Sequence, residues 1–137
     1  MVTYDTKIGI VVRNNLATWQ KMNVACFLCG GLAGAFPEIV GEPYVDASAR
    51  TYLPLVRQPV LIFGADRDQL LRAMERAQER EVAVAIYTED LFHTYNDIDN
   101  RGAVGSVPMT ELNLVGLGLH ADRRVADKIL KGLKLLS

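Results

Sequence analysis

The sequence predicts a single α/β domain spanning residues 1–137, a three-layer α-β-α arrangement around a mixed, mainly parallel four-stranded central sheet with a small β-hairpin excursion. Four short apolar runs alternate with helical patterns, the order that crossover connections produce. The first run is nearly continuous rather than alternating, as in a strand covered on both faces. A length of 137 residues suits one core rather than two.

Composition narrows the function classes. Half the residues are hydrophobic and 23% are charged, a globular balance rather than a disordered one. The formal net charge of -1 argues against a surface built to grip a nucleic-acid backbone, so tRNA is not an expected partner. Met1 to Lys7 lacks the basic start and apolar run of a secretory signal, which makes the cytoplasm the expected location. The longest uncharged apolar stretch, Val24 to Phe36, falls short of the ~20 residues needed to cross a bilayer, and no membrane association is expected. Two cysteines cannot build a disulfide framework.

Taken in order, Lys7-Ile-Gly-Ile-Val-Val-Arg13 is the first strand, ended by Asn14-Asn15. From Trp19 to about Phe36, Met22, Ala25, Cys26, Cys29 and Ala33 recur at helical spacing while Val24, Phe27 and Leu28 fill a second face. A helix apolar on two sides is expected to lie against the sheet and to meet a partner subunit. Pro37, Gly41, Pro43 and Pro54 break regular structure, and Tyr44 to Asp46 with Arg50 to Tyr52 reads as the hairpin. Pro59 to Phe63 is the second strand. Asp66 followed by Gln69 has capping-box character, opening a helix whose Leu70, Leu71, Met74 and Ala77 form one stripe. Val82 to Tyr87 is the third strand, followed by a polar loop or irregular helix from Thr88 to Arg101. Leu112 to Leu117 is the fourth strand, and the last helix runs from Ala121 to about Leu133.

The order of these segments resembles the type II peptidyl-tRNA hydrolases. Lys7 to Leu16 with Lys21 opening an alanine- and cysteine-containing helix is similar to that family's first strand, lysine-bearing loop and helix. Gln58 to Phe63 with Asp66 to Arg80, Val82 to Glu89, and Leu114 to Gly118 with a final helix ending Leu133-Lys134-Leu135-Leu136 follow in the same order. The resemblance implies the fold. Lys21 fits the family's second lysine and Cys26 its cysteine, and Glu89, with Asp90 beside it, falls nearest the aspartate after the third strand. Trp19, Ala25, Phe27 and Leu28, however, stand where the family carries Lys, Gln, Ser and His. Replacing proton-transfer or hydrogen-bonding groups by Leu or Ala removes that chemistry. The segments Tyr44 to Pro54 and Asp97 to Val104 are more similar still to an uncharacterised bacterial branch of this fold.

Two motifs take structural readings. Cys26-Phe-Leu-Cys29 has dithiol spacing but lies inside an apolar helix rather than at a helix N-terminus, so both thiols read as packing groups. No metal site is expected, because His93 and His120 lack ligand spacing relative to them. Gly116-Leu-Gly118-Leu-His-Ala121 matches a dinucleotide pattern between a strand and a helix. Only 16 residues follow it, too few for the rest of the unit, and it reads as a tight turn with close helix packing. The residual functional reading is a small-anion site on backbone amides near His120 at the helix start. No cofactor is expected.

The surviving polar candidates form two groups. Asn14, Thr18 and Lys21 from the first loop are expected to meet Glu89 and Asp90 at the C-terminal edge of a parallel sheet, with Lys21 and Glu89 as candidate catalytic groups. His93, Tyr95, Asn96, Asp97, Asn100 and Arg101 form a second, ligand-binding cluster in the long loop, with Trp19 covering the site or anchoring a partner. The functional expectation is a small-molecule or partner-binding module, homodimeric through the first helix or the hairpin. The alternative is an amide or ester hydrolase using Lys21 and Glu89.

Overall fold

A computed structural model describes residues 3–137. Strand β1 (Thr6–Arg13) leads into helix α1 (Thr18–Ala35), a 3₁₀ turn at Pro37–Ile39, and the hairpin of β2 (Tyr44–Val45) and β3 (Thr51–Tyr52). Strand β4 (Val60–Ala65), helix α2 (Arg67–Glu79) and strand β5 (Ala85–Thr88) follow. A 3₁₀ turn at Glu89–His93 then precedes helix α3 (Asp97–Gly105) and a further 3₁₀ turn at Met109–Glu111. Strand β6 (Leu114–Asp122), helix α4 (Arg123–Ile129) and strand β7 (Lys134–Leu135) complete the chain.

The main sheet is five-stranded, in the order β5-β6-β1-β4-β7. All four anticipated strands are present, and β7 is a fifth that the sequence did not announce. Where a helix was expected to run to Leu133, Gly132 with φ +87° turns the chain after α4. Leu135 then pairs with Phe63, and the Leu136 amide donates to the Ile62 carbonyl at 2.9 Å. The sheet is mixed, as expected, but "mainly parallel" needs correction: among the described residues β1 and β4 are the one parallel pair in it, with Ile8 opposite Val60. Strand β6 runs antiparallel to both β1 and β5, so β1 and β5 point the same way without touching. Apolar character specified these strands, and it carries no direction.

Helices cover both faces of the sheet. Along β1 the side chains alternate: Ile8, Ile10 and Val12 pack with Val24, Leu28 and Leu32 of α1, whereas Val11 packs with Leu70, Ala73, Met74 and Ala77 of α2 and Ala126 and Ile129 of α4. The anticipated capping box is formed. Asp66 accepts from the Gln69 amide at 2.8 Å, and the Gln69 side chain accepts from the Asp66 amide at 2.9 Å.

The dinucleotide-like motif is also relocated. Strand β6 continues through Gly116, Gly118 and His120 to Asp122, so the motif lies inside a strand rather than at a strand-to-helix turn. A Cβ at Gly116 would come within 2.3 Å of a Val24 methyl, and one at Gly118 would crowd Leu28 and Leu32. These glycines let α1 approach the sheet closely, as the packing reading required. The anion site proposed near His120 loses its basis, because that residue pairs with Ile8 in mid-strand. In the hairpin, Asp46 accepts from the Ser48 and Arg50 amides and the Tyr52 hydroxyl. These bonds, the Tyr52 hydroxyl first, hold its pKa below the usual carboxylate value.

Candidate functional site

Because β1, β4 and β5 share a direction, their C-terminal ends Arg13, Ala65 and Thr88 lie at one edge of the sheet. Strand β6 begins at that edge between β1 and β5, and Arg13 reaches across to it. The Arg13 guanidinium donates to Asn113 Oδ1 at 2.7 Å and to the Leu114 carbonyl, while the Glu89 amide donates to the Asn113 carbonyl at 3.0 Å. Burial first, then the nearby Arg67 charge, lowers the Arg13 pKa, and Glu89 acts in the opposite direction. The Glu89 carboxylate lies 3.7 Å from His93 Nε2. No ion pair joins Lys21 to Glu89 among the described residues. Lys21 is half-buried on α1, Thr18 is exposed in its first turn, and Asp90 is exposed in the 3₁₀ turn. Asn14 lies on the β4 side of the same edge, its amide donating to the Ala65 carbonyl at 2.9 Å, and lines a depression with Gly64, Gln69 and Lys134. The polar residues expected to meet at this edge are therefore distributed along it.

The second cluster is brought together. The segment after β5 folds into the 3₁₀ turn and α3, which stand opposite α1 and leave a groove between them. The Asn96 side chain starts α3 by accepting from the Asp99 amide at 2.8 Å, and Asp97 pairs with Arg101 at 2.7 Å. One lobe of the groove holds about 590 Å³ and is lined by Trp19, Asn23, Phe27, Tyr87, Phe92 and Asn100, together with Asn96 and Asp97. A contiguous lobe of about 800 Å³ shares Phe27, Tyr87, Asp97 and Asn100 and adds Gly31 and Arg101. Both volumes fall in the range of small-molecule sites, roughly 300–1,000 Å³.

Aromatic rings form one wall of this groove in an unbroken series. Trp19 meets Phe92 with ring centroids 6.0 Å apart, Phe92 meets Tyr87 at 5.1 Å, and Tyr87 meets Phe27 at 5.7 Å, all tilted or edge-on. Burial raises the Tyr87 pKa, and a hydrogen bond from Asn23 works against that rise. Of the anticipated second cluster and its cover, Trp19, Tyr95, Asn96, Asp97, Asn100 and Arg101 line the groove, whereas His93 turns toward Glu89. Sequence reasoning missed Asn23, Tyr87 and Phe92 as site residues. Phe27, read as part of the second apolar face of α1, is 58% exposed and lines both lobes.

A family model described as "Protein of unknown function (DUF2000)" matches residues 6–137. The chain belongs to the DUF2000 family. A solved structure of a protein of unknown function from Agrobacterium tumefaciens strain C58 is 38% identical to this DUF2000 chain. The match covers 98% of this chain and 100% of that one, with a TM-score of 0.95. No curated protein matches it. No helix among the described residues is long and apolar enough to cross a membrane, and no group of three or more His, Cys, Asp or Glu residues there is placed to hold a metal ion.

Two surfaces outside the groove complete the DUF2000 chain's functional inventory. Cys26 is exposed on α1, and Cys29 is half-buried with its thiol pKa raised by burial and by Cys26. The hairpin exposes Tyr44, Val45 and Tyr52, and Leu53 and Leu55 follow it on the surface.

Proposed function

We propose that this DUF2000 chain is a small-molecule-binding module of the cytoplasm, on a type II peptidyl-tRNA hydrolase-like fold without the hydrolase chemistry. The observation that carries the reading is the groove between α1 and α3, where an aromatic wall and several carboxamides converge in one concave site. Leu28 and Phe27, standing where the resembling hydrolases carry His and Ser, support the loss of catalysis. The net charge of -1 supports a small ligand over tRNA. Homodimerisation is part of the same proposal, supported by the exposed Met22 of α1, outside the groove lining, and the exposed apolar residues of the hairpin.

A thermal-shift screen of small metabolites tests the reading, because a ligand at 100 times its Kd stabilises by about 2.7 kcal/mol. Trp19 is the sole tryptophan, so its fluorescence reports on the groove. Ligands that raise Tm are expected to perturb Trp19 and to lose both effects in Phe92→Ala. Hits indifferent to Trp19 and Phe92 would move the site elsewhere. Turnover of an amide or ester, abolished by Lys21→Ala, would replace the binding reading with a hydrolase using Lys21 and Glu89.

A further inference from the structure

We propose that the groove takes an uncharged planar ring carrying both a hydrogen-bond donor and an acceptor on its edge, the chemistry of a lactam or a pyrimidinedione; this rests on the small-molecule reading above. Three features of the lining select that class. The first is charge. Asp97 and Arg101 are the charged side chains on the groove, and they neutralise each other at 2.7 Å. A cation drawn to Asp97 meets Arg101, and an anion drawn to Arg101 meets Asp97, so neither gains a net partner.

The second feature is the shape of the wall. The rings are inclined to one another, and Trp19 and Phe27, both more than half exposed, offer the ring surface on which a ligand ring can stack, an interaction that tolerates any flat π-system.

The third feature is the pair of carboxamides that line the groove, Asn23 from α1 and Asn100 from α3. The Asn23 carboxamide lines the groove beside Tyr87 and carries both an acceptor oxygen and N–H donors. At Asn100 the Thr94 hydroxyl holds one end of the carboxamide, and Thr94 is itself anchored on the Leu91 carbonyl at 3.1 Å. Whichever way the carboxamide is turned against Thr94, at least one Asn100 N–H remains for a ligand. Together the two carboxamides present both an acceptor and a donor to a ligand. A ring with an N–H and a C=O satisfies both, whereas a hydrocarbon ring leaves both amides unpaired and desolvated.

The test needs no foreknowledge of the natural ligand. Uniformly ¹⁵N-labelled protein shows one tryptophan indole N–H signal, from Trp19, and it is titrated with 2-pyridone and uracil. Parallel titrations use their N-methylated forms, benzene, tetramethylammonium and glucose. The expected result is that 2-pyridone or uracil shifts the Trp19 indole and Asn100 carboxamide signals, and that N-methylation weakens binding about tenfold or more. Asn100→Leu and Asn23→Leu are each expected to lose a similar factor while circular dichroism stays unchanged. The comparison of methylated with unmethylated ligand holds even if a variant folds poorly. Equal binding of methylated rings or benzene overturns the donor–acceptor assignment. Preferential Trp19 shifts with tetramethylammonium or glucose overturn the ligand class and leave the small-molecule site standing. Silence of the Trp19 signal across the panel overturns the class, and it removes the site as well when the metabolite screen is also empty.

Discussion

The two faces of the sheet differ in how completely they are closed. On one, α2 and α4 enclose a cluster of aliphatic side chains, with Leu70, Ala77, Ala126 and Ile129 all fully buried. On the other, α1 is the main cover of β1 and β6, with Ile39 of the next turn beside it, burying Val24, Leu28 and Leu32 but leaving Trp19, Met22 and Phe27 exposed. The closed face has an ordinary structural task. The open face combines a core with a groove, and the difference teaches that the exposed aromatic residues on α1 are surplus to folding and available for recognition.

The largest expected effect that would break this division comes from truncating one side chain on each face. Leu70→Ala empties a fully buried site and is expected to cost about 2–5 kcal/mol in urea denaturation. Trp19→Ala, at a side chain 62% exposed, is expected to cost under about 1 kcal/mol while abolishing ligand-induced stabilisation. Equal costs at the two positions would show that Trp19 serves the core. A second contrast lies in the glycines beneath the helices. Gly116→Ala pushes a methyl into Val24, whose branched side chain is stiff in a helix, and is expected to cost about 1–3 kcal/mol. Gly9→Ala meets the flexible end of Leu130 at 2.7 Å and is expected to cost less, as read by the difference in Tm. The smallest effect sharpens the comparison at the helix starts. Removing the α2 cap with Asp66→Ala is expected to lose about 0.5–2 kcal/mol. Ala17 offers no capping oxygen to α1, so Ala17→Ser is expected to gain a few tenths to about 1 kcal/mol, measured by the urea midpoint.

The closed face was legible in the sequence for physical reasons that also explain what was not. Helix α2 has a cap, a single apolar stripe and a charged opposite face, so period, start and orientation agree. Helix α1 is apolar on two sides, and nothing local distinguishes Phe27, which lines the groove, from Leu28, which packs into the core. The strands were found because β-branched runs are a local signal. Their pairing was not, since the insertion of β6 between β1 and β5 is decided by contacts more than 100 residues apart, such as Thr6 opposite Asp122. The same limit governs the site. The polar cluster from Asn96 to Arg101 was visible as composition, whereas Asn23 and Tyr87 join it only through the approach of α1 to β5 and α3.

The place of β6 also constrains how the polypeptide acquires its shape during synthesis. Ribosomes release β1, β4 and β5 well before residues 114–122, yet β5 hydrogen-bonds only to β6 in the main sheet, and β6 alone bridges it to β1. A nascent chain short of β6 can form the β1–β4 pair but leaves β5 without a partner, and joining them depends on loop closure over most of the molecule. Completion of the main sheet accordingly waits for a strand made late in synthesis, and until then β5 keeps bare edges.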